Sequence, residues 1–353
     1  MCEHVFVRWN NLLVDAEEAQ TLPGYRDPAV IRRFDAPEAL DTRFYEVHAK
    51  SALNQVPKQS RMPFRWTINP YRGCTHACNF CFARPTHTFL GFDAGRDFEK
   101  EIVVKVNVPE VLRAELARPS WTHEHVALGT NTDPYQWVEG RYRLMPEIWR
   151  ALLESGTPCS LLTKSPLMLR DVDLLAQLSE TVGFTANVSV PTLDEKAWRA
   201  TEPHTPHPRK RLEAIAELTR AGIPTGVLVA PLMPGINDSP EQVDEILRLA
   251  TEAGAGSISG ITLHLRGEVR EIFMGWLREQ RPDLVEHYEK LYARGAYAPT
   301  AERERHSRMV RKGRRALPGG RRRQFRTLQD GERAANGAGS QQEMPAATQE
   351  SLF

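Results

Sequence analysis

The chain has 353 residues, 41% of them apolar, and a formal net charge of +1: length for one large domain with extensions, at a composition ordinary for a globular protein. No run of about eighteen apolar residues exists, so no membrane span is expected, and the start Met1, Cys2, Glu3, His4 lacks the basic-then-apolar pattern of an export signal. The five cysteines are an odd number, three of them clustered, which argues against a secreted disulfide framework and for the reducing cytoplasm.

Residues 1–60 read as an irregular N-terminal extension, too short and too polar to bury its own core. Short helices are expected at 29–34 and 44–53. From residue 64 strands and helices alternate. Strands are expected at 65–69, 125–129, 160–163, 184–190, 226–231 and 258–265. Helices are expected at 109–117, 146–153, 172–178, 208–221, 240–253 and 268–278. Proline opens several of these helices, and Gly222 and Gly254 fit C-terminal stops. Six strands in this alternation imply an α/β domain over 61–295, with a parallel sheet and right-handed crossovers, curled or closed. The pattern alone does not separate an open doubly wound sheet from a barrel.

A basic segment follows at 296–327. Between 303 and 327 eleven Lys and Arg stand against one acid, Glu304, so a near-neutral total hides an acidic body with a basic arm. The tail 328–353 closes the chain. The stretch 318–340 is poor in large apolar residues and is expected to be disordered. The last residues are Gln349, Glu350, Ser351, Leu352 and Phe353.

The strongest signal is Cys74, Cys78 and Cys81, spaced C-x3-C-x2-C directly after the first strand. Closely spaced cysteine thiolates on a loop hold iron–sulfur clusters. Three ligands leave one iron of a four-iron cubane open to a bound molecule, as reactive metal sites require. Zinc is the rival. It needs four ligands, and His76 or His87 is available, but a structural zinc site pairs two knuckles and no second one exists. Cys159, starting an apolar strand, reads as a small buried residue.

These residues resemble the radical S-adenosylmethionine (SAM) superfamily, with Phe80 as the aromatic just before the last cysteine. Asn69, Pro70, Tyr71, Arg72 and Gly73 before the loop, and Phe82 to His87 after it, look like the spore photoproduct lyase-like branch. The resemblance spans roughly residues 44–292. It implies a partial (β/α)6 TIM-type barrel, a [4Fe-4S] cluster on Cys74, Cys78 and Cys81, and SAM on the open iron. It also implies reductive cleavage of SAM to a 5′-deoxyadenosyl radical, and an electron donor of the flavodoxin or ferredoxin type.

In parallel βα folds ligands meet the C-terminal strand ends. After the second strand, Thr130, Asn131, Thr132 and Asp133 offer acceptors for a cationic amine. The family places the methionyl amine of SAM there. After the third strand Lys164 matches a lysine of the branch, which suggests a partner for the SAM carboxylate. Ser189, ending the fourth strand, matches a polar SAM-contacting position. These residues join Phe80 as the expected cofactor-binding set. Asp238 lies near a helix start, and His264 and Arg266 are candidates for substrate contact. Spore photoproduct lyase has a hydrogen-donating cysteine near the second strand end, whereas here Asn131 stands roughly there. The residue after the last cluster cysteine, often tyrosine in that lyase, is Phe82.

The substrate is expected to be a nucleic acid or a molecule associated with one, as in DNA repair or modification. A protein or metabolite substrate, or a non-catalytic iron–sulfur or zinc adaptor on DNA, are the alternatives. The 303–327 segment has the charge to neutralise phosphates. Gln349, Leu352 and Phe353 resemble the short peptide by which bacterial proteins dock on the polymerase sliding clamp.

Overall fold

Six parallel strands sit side by side in the order in which they leave the chain: β5 (Trp66–Ile68), β8 (Val126–Leu128), β9 (Cys159–Thr163), β10 (Phe184–Ser189), β11 (Thr225–Leu232) and β12 (Ser257–Thr262). Each step to the next strand goes the same way round. Right-handed crossovers then put the crossover helices on one face, with no strand-order reversal of the kind a doubly wound sheet needs. The chain is thus a partial barrel, extended at one edge by the antiparallel β4 (Leu53–Gln55). The structure is a computed structural model and describes residues 13–60 and 62–316.

Side-chain alternation divides the sheet's two faces. Val126, Leu128, Leu161, Phe184, Ala186, Val188, Val227, Val229 and Ile258 are buried in the main core. Helices at Val108–Leu116, Leu144–Glu154, Val172–Thr181, Pro208–Arg220 and Pro240–Glu252 cover that face. The alternate positions carry Ser160, Thr185, Asn187, Ser189, Gly226 and Ser257. A Cβ on Gly226 would lie 2.3 Å from Asn187 Oδ1 and 2.4 Å from Ser257 Oγ, so these side chains share the other face with it. That face mixes these small and polar side chains with Leu162 and Leu228.

The helix Thr300–Ala316, which takes up part of the basic segment, packs on β12 and on Pro240–Glu252. Met309 and Val310 enter the main core. His306 Nε2 lies 3.0 Å from Asp238 Oδ2, and the Arg305 guanidinium bonds both Asp238 and Glu302. Arg305 therefore fills the centre of this carboxylate–histidine group, and Asp238 anchors the helix. Helices Glu268–Gln280 and Val285–Leu291 form a second core with Cys78, Phe80, Leu263 and Leu265.

The N-terminal stretch is more regular than its sequence suggested. Strands β1 (Leu13–Glu18), β2 (Val30–Phe34) and β3 (Arg43–Val47) join β7 (Glu101–Lys105) and β6 (Tyr71–Arg72) in a five-stranded sheet. The stretches expected to be helical at 29–34 and 44–53 are not: Val30–Phe34 pairs with β1 and β3, and Arg43–Val47 pairs with β2 and with β7, distant in sequence. Cys2, residues 317–327 of the basic segment and the terminal Gln349, Leu352 and Phe353 lie outside the described residues. Among those described, no helix is long and apolar enough to cross a membrane.

Candidate functional site

The three-cysteine loop leaves β6 at Gly73, whose φ is +76° and whose Cβ would lie 3.0 Å from both Ile102 Cδ1 and Phe98 O. Only glycine turns the chain there without strain. Cys74 and Cys78 are buried and Cys81 is partly so; none is in a disulfide. Buried side chains from outside the motif hold the loop. Arg84 donates through Nε to the Cys78 carbonyl at 2.9 Å and through Nη2 to the Ala77 carbonyl at 3.2 Å. It also bonds the Ala94 and Gly95 carbonyls and pairs with Glu99. Gln136, fully buried, accepts from Thr75 N at 3.0 Å and donates to Gly73 O at 3.1 Å. Asn79 N donates to Thr201 O at 3.2 Å.

Burial pushes the Cys74 thiol up to about 12 and raises Cys78 and Cys81 as well. Metal binding must displace these protons, because thiolates are the ligands. Around one zinc ion the sulfurs would lie about 4 Å apart. Among the described residues the one set of three His, Cys, Asp or Glu ligand atoms all within 4.8 Å is Asp238, Glu302 and His306. The three cysteine sulfurs do not form such a set. His87 Nε2 is 2.8 Å from Glu101 O and its ring stacks on Phe92, while His76 Nδ1 faces Asp133 Oδ2 at 3.4 Å.

The strand ends face this loop. Gly129 has φ +79°, and a Cβ there would fall 1.7 Å from Leu162 O, so β8 ends flush against β9. Asp133 then ties the two strands together. Its Oδ1 accepts from Thr163 Oγ1 at 2.6 Å and Tyr135 N at 2.9 Å, and its Oδ2 from Lys164 N at 2.7 Å. Thr132 is buried and donates to Tyr71 O. Thr130 is half-buried. Asn131 Oδ1 is buried without a hydrogen-bond partner, as are Asn69 Oδ1 after β5 and Thr185 Oγ1 on β10. Orphaned buried acceptors are rare and call for a partner.

Lys164 Nζ stands 5.7 Å from the centre of the Phe80 ring, 2.8 Å from Ser189 Oγ and 2.6 Å from Glu202 Oε1. Glu202 Oε2 accepts from Arg211 Nη2 at 2.8 Å. Burial alone would raise the Glu202 carboxyl, but Arg211 and Lys164 hold it below its usual range. Phe80, Lys164 and Ser189 thus meet at one place beside the cysteine loop, whereas Thr132 and Asp133 already bond the protein frame. Sequence reading missed Arg84, Gln136, Glu202 and Arg211. Their only signal was position: Arg84 three residues past Cys81, and Gln136 closing the polar run after β8.

A family model described as the radical SAM superfamily matches residues 68–250, just over half of the chain. The chain belongs to the radical SAM superfamily. It is a radical SAM enzyme, and the family's cofactors are a [4Fe-4S] cluster and SAM. An uncharacterized protein of Mycobacterium tuberculosis is 49% identical over 283 residues, 80% of this chain and 83% of the relative. The radical SAM Nalpha-GlyT isomerase of Pseudomonas phage M6 is 30% identical over 168 residues, 47% of this chain and 33% of that one. Spore photoproduct lyase complexed with dinucleoside spore photoproduct is similar in structure, with a TM-score of 0.57 at 16% identity over 78% of this chain and 80% of that one. The radical SAM fold is thus shared with that lyase.

Proposed function

We propose that Cys74, Cys78 and Cys81 hold the cluster, that SAM binds across the ends of β8, β9 and β10, and that the enzyme acts on a nucleic acid or a molecule associated with one. The observation that carries the cofactor reading is the meeting of a three-thiol loop with Lys164, Ser189 and the unpartnered Asn131 Oδ1. Bound and reduced on these cysteines, the cluster would supply one-electron reduction of SAM and with it radical hydrogen-abstraction chemistry. Lys164, fixed by Ser189 and Glu202, is the cation for the SAM carboxylate. Asn131 Oδ1 and the Thr130 hydroxyl are acceptors for its amine. Thr132 and Asp133 act through the backbone they hold.

Three features support the nucleic-acid reading: the dinucleoside held by the structurally similar lyase, the shared fold, and the basic 303–327 segment. Photoproduct reversal itself is not expected. No cysteine lies between Cys81 and Cys159, Asn131 stands roughly where the lyase has its donor, and Phe82 follows the last cysteine. The test is incubation of the reduced, reconstituted enzyme and SAM with DNA, RNA and cell extract, followed by mass spectrometry of nucleosides. Modified nucleosides are expected with DNA or RNA. SAM turnover coupled only to protein or metabolite products contradicts the reading.

Partners extend the proposal. A flavodoxin or ferredoxin supplies the electron, in keeping with a cytoplasmic setting. Gln349, Leu352 and Phe353 dock on the sliding clamp, where tethering raises the local concentration of enzyme on DNA. A pull-down in which removing Leu352 and Phe353 leaves clamp capture unchanged sinks that part.

A further inference from the structure

We propose that Phe82, His264 and Tyr297, flanked by Arg266, form a stacking ladder that receives an unpaired nucleobase beside the cysteine loop, so that the substrate nucleotide is taken single-stranded or extruded from its duplex. This rests on the nucleic-acid reading above and narrows it to a class of substrate.

Phe82 directly follows Cys81, yet is 54% exposed; Tyr297 is 50% exposed. A lone exposed aromatic needs no explanation, but a row of them at an active site does. The Phe82 ring lies 6.2 Å from His264 at 33°, and His264 lies 5.8 Å from Tyr297 at 27°. His264 therefore lies between Tyr297, which stacks on it, and Phe82, which is tilted against it. Backbone fixes the His264–Tyr297 end of the row. His264 and Tyr297 form an antiparallel bridge, reinforced by Leu265 N donating to Ala296 O at 2.8 Å. Leu263 and Leu265, on either side of His264, pack in the same core as Cys78 and Phe80, with Cys81 against it. Burial and Arg266 hold the imidazole below its usual range, leaving a neutral flat ring at neutral pH.

A rigid, uncharged aromatic row is what an unpaired base stacks on, whatever its sequence. Arg266 adds the backbone contact. Its guanidinium carbon lies 4.9 Å from the centre of the Tyr297 ring, and it donates to the Tyr297 hydroxyl. A base inside an intact duplex offers no free face, so the ladder selects single strands or extruded nucleotides.

The test titrates the anaerobically reconstituted full chain, with SAM, against fluorescein-labelled single-stranded DNA, the same sequence as RNA, and the matched duplex. Single strands are expected to bind more tightly than the duplex, and the DNA and RNA arms identify which source is preferred. Tyr297→Ala should loosen single-strand binding about tenfold, on the scale of one stacked base, with Tyr297→Trp restoring it. The salt dependence should stay unchanged in Tyr297→Ala, while Arg266→Ala should reduce the slope by about one. Iron content and thermal melting confirm that each variant is folded and loaded. Single-strand binding that is the same in Tyr297→Ala and wild type, or that is weaker than duplex binding, overturns the ladder and leaves the nucleic-acid reading standing. If no oligonucleotide binds even at low salt, and nucleosides stay unmodified in the product assay, the nucleic-acid reading falls and takes the ladder with it.

Discussion

Lys164 Nζ is 2.6 Å from Oε1 of Glu202, a carboxylate with no solvent exposure whose other oxygen is held by Arg211. The lysine at the β9 end is therefore aimed, with its stem fixed and its charge directed between Ser189 and the cysteine loop. Replacing it should separate SAM binding from cluster binding. Lys164→Met is expected to weaken SAM binding at least about tenfold, the loss of one charge-assisted hydrogen bond, while iron content stays at the wild-type level. Equilibrium dialysis with labelled SAM, beside an iron assay, reads both.

Glu202 has a structural duty that Lys164 lacks. Arg211 is fully buried and also donates to Ser189 O, Pro206 O and Thr205 Oγ1. Glu202→Gln leaves that guanidinium without its counter-charge, and breaking a buried pair costs about 3–5 kcal/mol. Chemical denaturation should show that loss, where Lys164→Met shows much less.

Arg84 closes the cysteine loop from below, reaching four carbonyls and Glu99. Arg84→Leu leaves those carbonyls without their donor, at about 1–3 kcal/mol for each one left buried and unsatisfied. The variant is expected to reconstitute poorly and to lose iron on gel filtration, although every cysteine is intact. Iron retention equal to wild type would show that the loop holds its shape without the clamp.

Lys105, buried on β7, gives a pH test. Burial, then Arg72, lowers its pKa from 10.5 to about 7. Between about pH 7 and 10.5 the unfolded chain binds this proton and the folded chain does not, so this group makes stability rise with pH across that window. Below it both states are charged and the full burial penalty applies. Lys105→Met should therefore be more stable than wild type at pH 7, by on the order of a few kcal/mol, and the advantage should shrink toward pH 10. Urea melts at several pH values check it. A constant difference contradicts the assignment.

The barrel was legible because its strands are short apolar runs between proline-opened helices. All six expected strands from 65–69 to 258–265 overlap observed ones. The order of pairing settled what the pattern left open between a doubly wound sheet and a barrel. The N-terminal sheet was not legible, since Val30–Phe34 and Arg43–Val47 become strands only by pairing with each other and with β7. The cysteine spacing was plain, but its supports were not. Arg84, Gln136 and Glu202 are polar residues whose roles come from long-range contacts, and nothing local marks a guanidinium that will be 1% exposed. For Thr132 and Asp133 residue type suggested ligand contacts, while the hydrogen bonds they make to Tyr71 O, Thr163 Oγ1 and Lys164 N are long-range and were not legible in it.

The most direct test of the central claim is iron and zinc analysis of the anaerobically reconstituted chain, beside an assay for 5′-deoxyadenosine formed from SAM under a strong reductant. The wild type is expected to carry about four irons and to release 5′-deoxyadenosine, and both should vanish when Cys74, Cys78 and Cys81 are replaced by serine. A single bound zinc in the wild type, or an intact cluster in the triple serine variant, would contradict the account.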